Sequence, residues 1–127
     1  MSRRRTGFTL IELLVVVVII GILAAIAIPK FAATKGKAYF ASMKTDLRNL
    51  ATSEESFFYD YRRYSTNLDS LKAVTSHGVV LTIIEATPTG WSARATHPLA
   101  YPHTCAIFTG DAAPLAPAVD QNEIECN

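Results

Sequence analysis

Hydrophobic residues in this chain are concentrated in one continuous run near the N-terminus. From Leu13 to Pro29 the sequence reads LLVVVVIIGILAAIAIP without a charged residue, and Phe8–Glu12 extends this segment to 22 residues. At about 1.5 Å per residue, a helix of that length spans roughly 30 Å, which is the thickness of the hydrocarbon core of a bilayer. The pattern therefore predicts a membrane-spanning helix.

Beyond Pro29 the apolar positions become periodic. They recur at spacings of three, four or seven residues, which is typical of an amphipathic helix with one face packed on a folded domain. The apolar positions are Phe40, Met43, Leu47, Leu50, Phe57 and Tyr61, and the charged residues that fall mostly between them are Lys44, Asp46, Arg48, Glu54 and Glu55. The helix is thus expected to continue to about Tyr61. Gly21, Pro29 and Gly36 weaken it, and Pro29, which lacks a backbone donor, is expected to introduce a kink.

A connector and three short strands are predicted for the rest of the chain. The connector contains turn and capping side chains, with two leucines placed to pack beneath them: Ser65, Thr66, Asn67, Leu68 and Leu71. Segments rich in β-branched and aromatic residues follow at Val79–Ala86, Trp91–Thr96 and Thr104–Thr109. The tail beyond them is expected to be irregular, because Pro114 and Pro117 oppose regular structure.

Together these patterns predict an α+β fold. A long N-terminal α-helix, transmembrane in its first half and amphipathic in its second half, packs on a small antiparallel β-sheet. With 127 residues the chain is long enough for one small domain. Half of the residues are hydrophobic, 18% are charged and the mean hydropathy is +0.21, which excludes a disordered or nucleic-acid-coating protein.

Charge is distributed unevenly along the chain. The formal net charge of +1 becomes −2 when the first seven residues are left out, because these residues include Arg3, Arg4 and Arg5. By the positive-inside rule, the arginines are expected on the cytoplasmic side and the residues after the span on the far side of the inner membrane. A cleaved secretory signal fits less well, because the apolar run is longer than a typical signal core and an amphipathic pattern follows it.

Glu12 is a carboxylate inside the apolar segment. An ionised side chain in hydrocarbon costs roughly 2.5 to 3.5 kcal/mol even on lenient insertion scales, so it requires a partner or a route to the headgroups. The sequence leaves both interpretations open: Glu12 reaches the headgroups, or it pairs with a positive group of another subunit.

Residues 3–31, RRRTGFTLIELLVVVVIIGILAAIAIPKF, resemble the class III signal of type IV pilins and type II secretion pseudopilins. The resemblance implies that a prepilin peptidase cleaves after Gly7 and that the new amino group of Phe8 is methylated. It implies that Phe8, Thr9 and Glu12 act in assembly, with Glu12 neutralising the Phe8 ammonium of a neighbouring subunit. It also implies that the stretch between Gly21 and Pro29 can lose helicity during polymerisation.

The resemblance also implies an organisation for the whole chain. Residues 1–7 are a cleaved basic leader, 8–30 the transmembrane and filament-core helix, 31–64 the amphipathic helix that packs on the head, and 65–127 the connector, sheet and C-terminal loop. The implied function is that of a structural pilin that polymerises with copies of itself into a type IV pilus, for adhesion, motility or DNA uptake. The implied partners are the prepilin peptidase, an inner-membrane assembly platform and a cytoplasmic assembly ATPase. The precursor resides in the inner membrane with its C-terminus extracytoplasmic, and the mature protein in an extracellular filament.

Two further interpretations remain at this stage. Within the same family, the chain is a pseudopilin of a type II secretion system, which a calcium-stabilised head and the absence of a surface fibre would favour. In a different class of protein, it is a monomeric membrane-anchored extracytoplasmic binding domain that leaves Glu12 without a subunit partner.

Cys105 and Cys126 both lie in the predicted extracytoplasmic part. An even pair in an oxidising compartment predicts a disulfide, which would hold the proline-rich tail on the last strand. Closing a loop of about twenty residues stabilises a small domain by roughly 3 kcal/mol on the chain-entropy model. Two free thiols are the alternative.

The remaining chemistry predicts no enzyme, no cofactor and no metal site. His77, His97 and His103 lack zinc-ligand spacing and are expected at the surface, and the chain has no phosphate loop, nucleophile elbow or HExxH motif. Acidic residues of the tail could hold calcium at loose spacing, but a solvated acidic tail is preferred; these residues are Asp111, Asp120, Glu123 and Glu125. Nucleic-acid binding is not expected, because the basic residues in and beside the sheet region are few; they are Arg62, Arg63, Lys72 and Arg94.

Overall fold

A computed structural model describes residues 7–127. The elements are a helix α1 (Leu10–Tyr61), strands β1 (Val80–Ala86), β2 (Trp91–Thr96), β3 (Thr104–Thr109) and β4 (Glu125–Cys126), and a short 3-10 helix, Pro98–Ala100. The predicted α+β class, with a long N-terminal helix and a small antiparallel sheet, is confirmed. Arg3, Arg4 and Arg5 of the predicted leader lie outside the described residues.

Helix α1 continues without interruption through Gly21, Pro29 and Gly36. Pro29 leaves the carbonyl of Ala25 without its usual backbone donor, yet the residues on both sides remain helical. The helix ends at Tyr61, the residue at which the periodicity of the apolar positions predicted its end. Arg62 adopts a positive φ of 56°, the left-handed conformation that commonly terminates a helix.

The chain divides into two compact units, one ending at Lys35 and the other comprising Gly36–Asn127. The described part of the first unit consists of residues 7–35, which include the beginning of α1. Its large apolar side chains, from Phe8 to Phe31, are 46 to 87% exposed. Such a segment is hydrophobic on all sides and has no core of its own, which is typical of a helix that lies in lipid or among other helices.

The second unit, residues 36–127, is called the head below. Its sheet is antiparallel with strand order β1-β2-β3-β4, and its part of α1 packs on one face. The helix contributes Met43, Leu47 and Leu50 to the core, and small side chains on β2, Ala93 and Ala95, are completely buried against it. The predicted helical packing face is therefore confirmed at its centre, but Tyr61 is exposed because it lies in the last turn, beyond the sheet-facing residues.

The C-terminal segment covers the opposite face of the sheet. Residues of β3 alternate between the two faces: Cys105 and Ile107 point to the helix side, whereas Ala106 and Phe108 pack with Ala118. The expectation of an entirely irregular tail was wrong at one point. Glu125 and Cys126 pair with β3 as a fourth, two-residue strand, because Cys126 lies opposite Cys105 in the ladder.

Candidate assembly site

The N-terminus of α1 is capped by hydrogen bonds between Thr9 and Glu12. Oε2 of Glu12 accepts from the backbone nitrogen and from Oγ1 of Thr9, both at 2.8 Å, and the Glu12 nitrogen donates to Thr9 Oγ1 at 3.3 Å. This is a capping box, in which a threonine and the glutamate three residues later satisfy each other's backbone donors. The TLIE sequence before an apolar run is the signal from which this geometry could have been predicted.

Gly7 and Phe8, the predicted processing residues, precede this cap and are exposed. A Cβ atom placed on Gly7 would meet no atom of the described residues within 4 Å. Packing within the described residues therefore does not require glycine at this position. The same holds for Gly21, where glycine in a helix interior costs about 1 kcal/mol relative to alanine.

The apolar surface of α1 begins directly after the cap. Within residues 7–127, α1 is the one helix that is long and apolar enough to cross a membrane. Gly21 and Pro29 lie on this surface, so the structure places four of the predicted assembly residues, Thr9, Glu12, Gly21 and Pro29, on one exposed apolar segment or at its end. Chemically, this segment offers an apolar cylinder with a single carboxylate at one end.

Two carboxylates of α1 are buried in the head, although the sequence pattern assigned them to the polar side. Asp46 accepts hydrogen bonds from the nitrogen (2.7 Å) and Oγ (2.9 Å) of Ser76. Glu54 is 0% exposed, and its Oε2 accepts from the Ser65 nitrogen at 3.0 Å, whereas its Oε1 has no hydrogen-bond partner. Asp46 follows Met43 by three positions and Glu54 follows Leu50 by four, so each lies on the same helix face as a core residue. This spacing is the signal that sequence reasoning missed.

Burial of Glu54 raises the pKa of its carboxyl from 4.5 to about 7. The Ser65 N–H lowers this pKa, and the negative charge of Glu55 raises it further. The connector is thus fixed on the helix by a carboxyl group that titrates near neutrality. Inside the connector, Asn67 Oδ1 accepts from the Asp69 nitrogen at 2.8 Å, so the predicted turn chemistry of this region is present.

The disulfide between Cys105 and Cys126 links β3 to β4 across 21 positions of the chain. Beside it, carboxylate oxygens of Asp120, Glu123 and Glu125 lie within 4.8 Å of one another. Glu125 is already engaged, because its oxygens accept from the backbone nitrogens of Val119 (3.2 Å) and Asp120 (3.3 Å).

Asp111 does not join this acidic group. It accepts a hydrogen bond from the Thr87 hydroxyl, which lowers the pKa of Asp111. Of the four acidic tail residues considered from the sequence, the structure therefore brings three together.

The expectation that all three histidines lie at the surface was wrong for His97. Its Nδ1 accepts from the Leu99 nitrogen at 3.1 Å and caps the 3-10 helix, while its buried ring stacks on Tyr39 with 4.3 Å between centroids. His77 and His103 are exposed. Among the basic residues considered for nucleic-acid binding, Arg94 donates to the Ala116 carbonyl at 3.2 Å.

The cap and the apolar helix coincide with a known family motif. Residues 2–28 match the prokaryotic N-terminal methylation motif. The chain is 53% identical to the type IV major pilin protein PilA of Myxococcus xanthus over 62 residues, which are 49% of this chain and 28% of that protein.

Relatives from secretion systems are also found. The chain is 36% identical over 75 residues to the type II secretion system core protein G of Aeromonas hydrophila, covering 59% of this chain and 52% of that protein. For the same protein of Vibrio cholerae, identity is 38% over 74 residues, covering 58% and 51%. The chain thus spans about half the length, or less, of these relatives, and the resemblance to type IV pilins and type II secretion pseudopilins is confirmed.

Proposed function

We propose that this chain is a structural pilin that polymerises into a type IV pilus through its N-terminal helix. The observation that carries the proposal is the exposed apolar segment of α1 with Glu12 at its capped end, inside the methylation motif. The identity of 53% to a major pilin supports it. Such a filament would serve adhesion, motility or DNA uptake, and no catalytic step, cofactor or metal is assigned to the chain.

Processing would convert this end of the helix into the assembly site. Cleavage after Gly7 by a prepilin peptidase gives Phe8 a free amino group, which is then methylated. In a filament, this ammonium would pair with Glu12 of a neighbouring subunit. Each charge alone is costly among apolar helices, whereas a close pair is tolerated, so the pairing would fix the register of neighbouring helices.

Assembly would replace lipid contacts of the helix by helix contacts. Because lipid tails are as apolar as leucine, the gain comes from close packing and from the charge pair, and not from removal of apolar surface from water. The precursor would reside in the inner membrane with its C-terminus extracytoplasmic. An assembly platform and a cytoplasmic ATPase are the proposed partners that drive extraction from the membrane into an extracellular filament.

A pseudopilin of a type II secretion system is the second candidate. It is favoured by the relatives named core protein G, whose matches cover 59% and 58% of this chain, compared with 49% for the pilin. A monomeric membrane-anchored binding domain is the alternative of another class. It would keep the apolar helix but leave Glu12 without a subunit partner.

The first experiment is intact mass spectrometry, without reducing agent, of filaments sheared from cells and of the remaining membranes. We expect an abundant species in the sheared fraction that begins at methylated Phe8 and contains a disulfide between Cys105 and Cys126. The same species confined to membranes would identify a pseudopilin or a minor subunit. An uncleaved chain that retains Arg3, Arg4 and Arg5 would contradict both filament functions.

A further inference from the structure

Three segments of the head meet where the chain enters it. They are the first helical turn of this unit (36–40), the residues that lead into β1 (77–80) and the connection between β2 and β3 (96–104). The His97 ring stacks on Tyr39 at 4.3 Å, and the His103 ring centroid lies 5.5 Å from that of Phe40. These contacts hold the β2–β3 connection beside the first residues of α1 that belong to the head, and we call the three segments together the base of the head.

Apolar side chains of the base are exposed. Tyr101 is 86% exposed, Leu99 73% and Val80 53%. Val80 and Tyr101, together with Pro98 and Pro102, line a shallow groove of about 310 Å³. The rest of the head leaves these side chains largely uncovered.

The base contains no acidic side chain. Its segments hold Lys37 and all three histidines of the chain, and no Asp or Glu occurs between Glu12 and Asp46. Lys37 precedes Phe40 by three positions, so it lies on the helix face that approaches His103. By contrast, residues 36–127 as a whole contain ten acidic and seven basic side chains. The base therefore carries one formal positive charge and none of the ten acidic side chains, whereas the rest of the head carries all ten with six basic ones.

We propose that the base of the head docks on the anionic lipid surface of the membrane that holds the N-terminal helix, before the subunit is assembled. Tyrosine is favoured at the membrane interface, and basic side chains are attracted to anionic headgroups. A face with exposed Tyr101, a nearby lysine and no Asp or Glu in its three segments is complementary to such a surface. This inference rests on the membrane anchorage in the proposed function and does not depend on polymerisation.

Chain connectivity makes this contact possible even if it is intrinsically weak. The apolar run ends at Pro29, seven residues before Gly36, so even a fully extended chain would separate them by at most about 25 Å. The membrane helix therefore keeps the base near the bilayer and makes docking an intramolecular event with a high effective concentration. Docking would orient the head relative to the membrane while the subunit waits for assembly.

The test uses the full chain reconstituted in vesicles of phosphatidylethanolamine and phosphatidylglycerol that contain lipids brominated near the headgroup. Tyr101→Trp places a fluorophore at the base, and Tyr59→Trp is the matched control. Tyr59 is also an exposed tyrosine, at 77%, but lies twenty residues beyond Tyr39 along α1, about 30 Å away. The emission of wild-type protein, which comes from the single buried Trp91, is subtracted.

We expect the brominated lipids to quench most of the emission added by Tyr101→Trp and little of that added by Tyr59→Trp. Replacing phosphatidylglycerol by phosphatidylcholine, or introducing Lys37→Glu, should weaken the quenching at position 101. Equally low quenching at both positions, with the protein still floating with the vesicles, would overturn the docking proposal alone. If quenching at position 101 changes with the protein-to-lipid ratio but not with the lipid charge, the tryptophan contacts a second copy of the chain. That result would overturn the docking proposal. Failure of the wild-type chain to float would contradict membrane anchorage itself.

Discussion

Glu12 caps the helix in the structure and is proposed to form a charge pair in the filament. Two substitutions distinguish the effect of the cap from that of the pair. Glu12→Gln keeps an oxygen that can accept from Thr9 but removes the charge, whereas Glu12→Ala removes both. If pairing with the Phe8 ammonium drives assembly, both variants should insert in the membrane normally and yield almost no filaments. In both variants the Phe8 ammonium of the neighbouring subunit loses its partner, and an unpaired buried charge costs roughly 3 to 5 kcal/mol.

The measurement is the amount of pilin in the sheared fraction relative to the membrane fraction. Filament yield that is normal in Glu12→Gln and reduced in Glu12→Ala would assign the effect to the helix cap. Normal yield in both variants would contradict any assembly role of this carboxylate.

Gly7 can be tested without disturbing the described fold. Because a Cβ at Gly7 would meet no atom within 4 Å, replacement by leucine leaves the local structure intact. We expect Gly7→Leu to block cleavage and to leave an uncut precursor in the membrane, as judged by intact mass. Accumulation of protein that begins at Phe8 in this variant would show that processing does not depend on this glycine.

Glu54 should make the stability of the head depend on pH. Its pKa is about 7 in the folded state and near 4.5 in the unfolded state, so between these values the folded state binds more protons. The contribution of Glu54 to the free energy of unfolding is then largest below pH 4.5 and is lost as pH rises through 7, by an amount on the order of 2 kcal/mol. Glu54→Gln, which keeps an acceptor for the Ser65 N–H, should remove this loss and be more stable than wild type at pH 8.

Urea unfolding of the full chain in detergent micelles, followed by the emission of the buried Trp91, measures this effect. Glu55→Gln is the control, because it removes the neighbouring charge while the titrating carboxyl stays in place. Wild-type and Glu54→Gln stabilities that run parallel between pH 5 and pH 8 would contradict the assignment.

At the scale of secondary structure elements, the disulfide attaches the C-terminal segment to β3. Replacing both Cys105 and Cys126 by serine reopens a loop of 21 positions. On the chain-entropy model this lowers the free energy of unfolding by roughly 3 kcal/mol. The segment that packs Ala118 against Ala106 and Phe108 should then exchange amide hydrogens faster than the helix-facing core.

The same urea titration, with and without reductant, checks this prediction. Reductant should lower the stability of wild type towards that of the double variant and leave the variant unchanged. Equal stability of wild type and the double variant in the absence of reductant would mean that the bridge does not support the head.

Periodicity predicted most of the elements of this fold. The continuous apolar run and the spacing of Met43, Leu47 and Leu50 predicted α1, and β-branched segments predicted β1, β2 and β3. Periodicity failed where burial depends on a distant partner. Glu54 is buried because its carboxyl group caps the connector at Ser65, eleven residues later.

Two further features depended on tertiary contacts in the same way. His97 is buried because it caps a 3-10 helix and stacks on Tyr39. Strand β4 has only two residues and exists because Cys126 pairs with Cys105, so no local sequence signal marks it. At the candidate assembly site, by contrast, Thr9 and Glu12 are three positions apart, so a local motif is sufficient to indicate the hydrogen bonds between them.

For the whole molecule, the proposed function requires that one helix surface be stable in two environments, lipid and the core of a filament. Small residues allow helices to approach closely in both, and Gly21 lies in the middle of the apolar run with open space around its Cβ position. A large side chain there costs nothing in the isolated chain, and leucine is also a better helix former than glycine by nearly 1 kcal/mol. The structure of a single subunit therefore gives no reason for glycine at this position.

A filament does give such a reason, which leads to a prediction for Gly21→Leu. We expect normal membrane levels and normal processing, but filament yield reduced at least severalfold, because the added side chain holds neighbouring helices apart. Gly36→Leu is the matched control, since Gly36 also has open space around its Cβ but lies beyond the apolar run. Sheared-fraction yields of the two variants, normalised to their membrane levels, decide the matter. If Gly21→Leu assembles as well as wild type, close packing at this glycine is not what converts the membrane helix into a filament core.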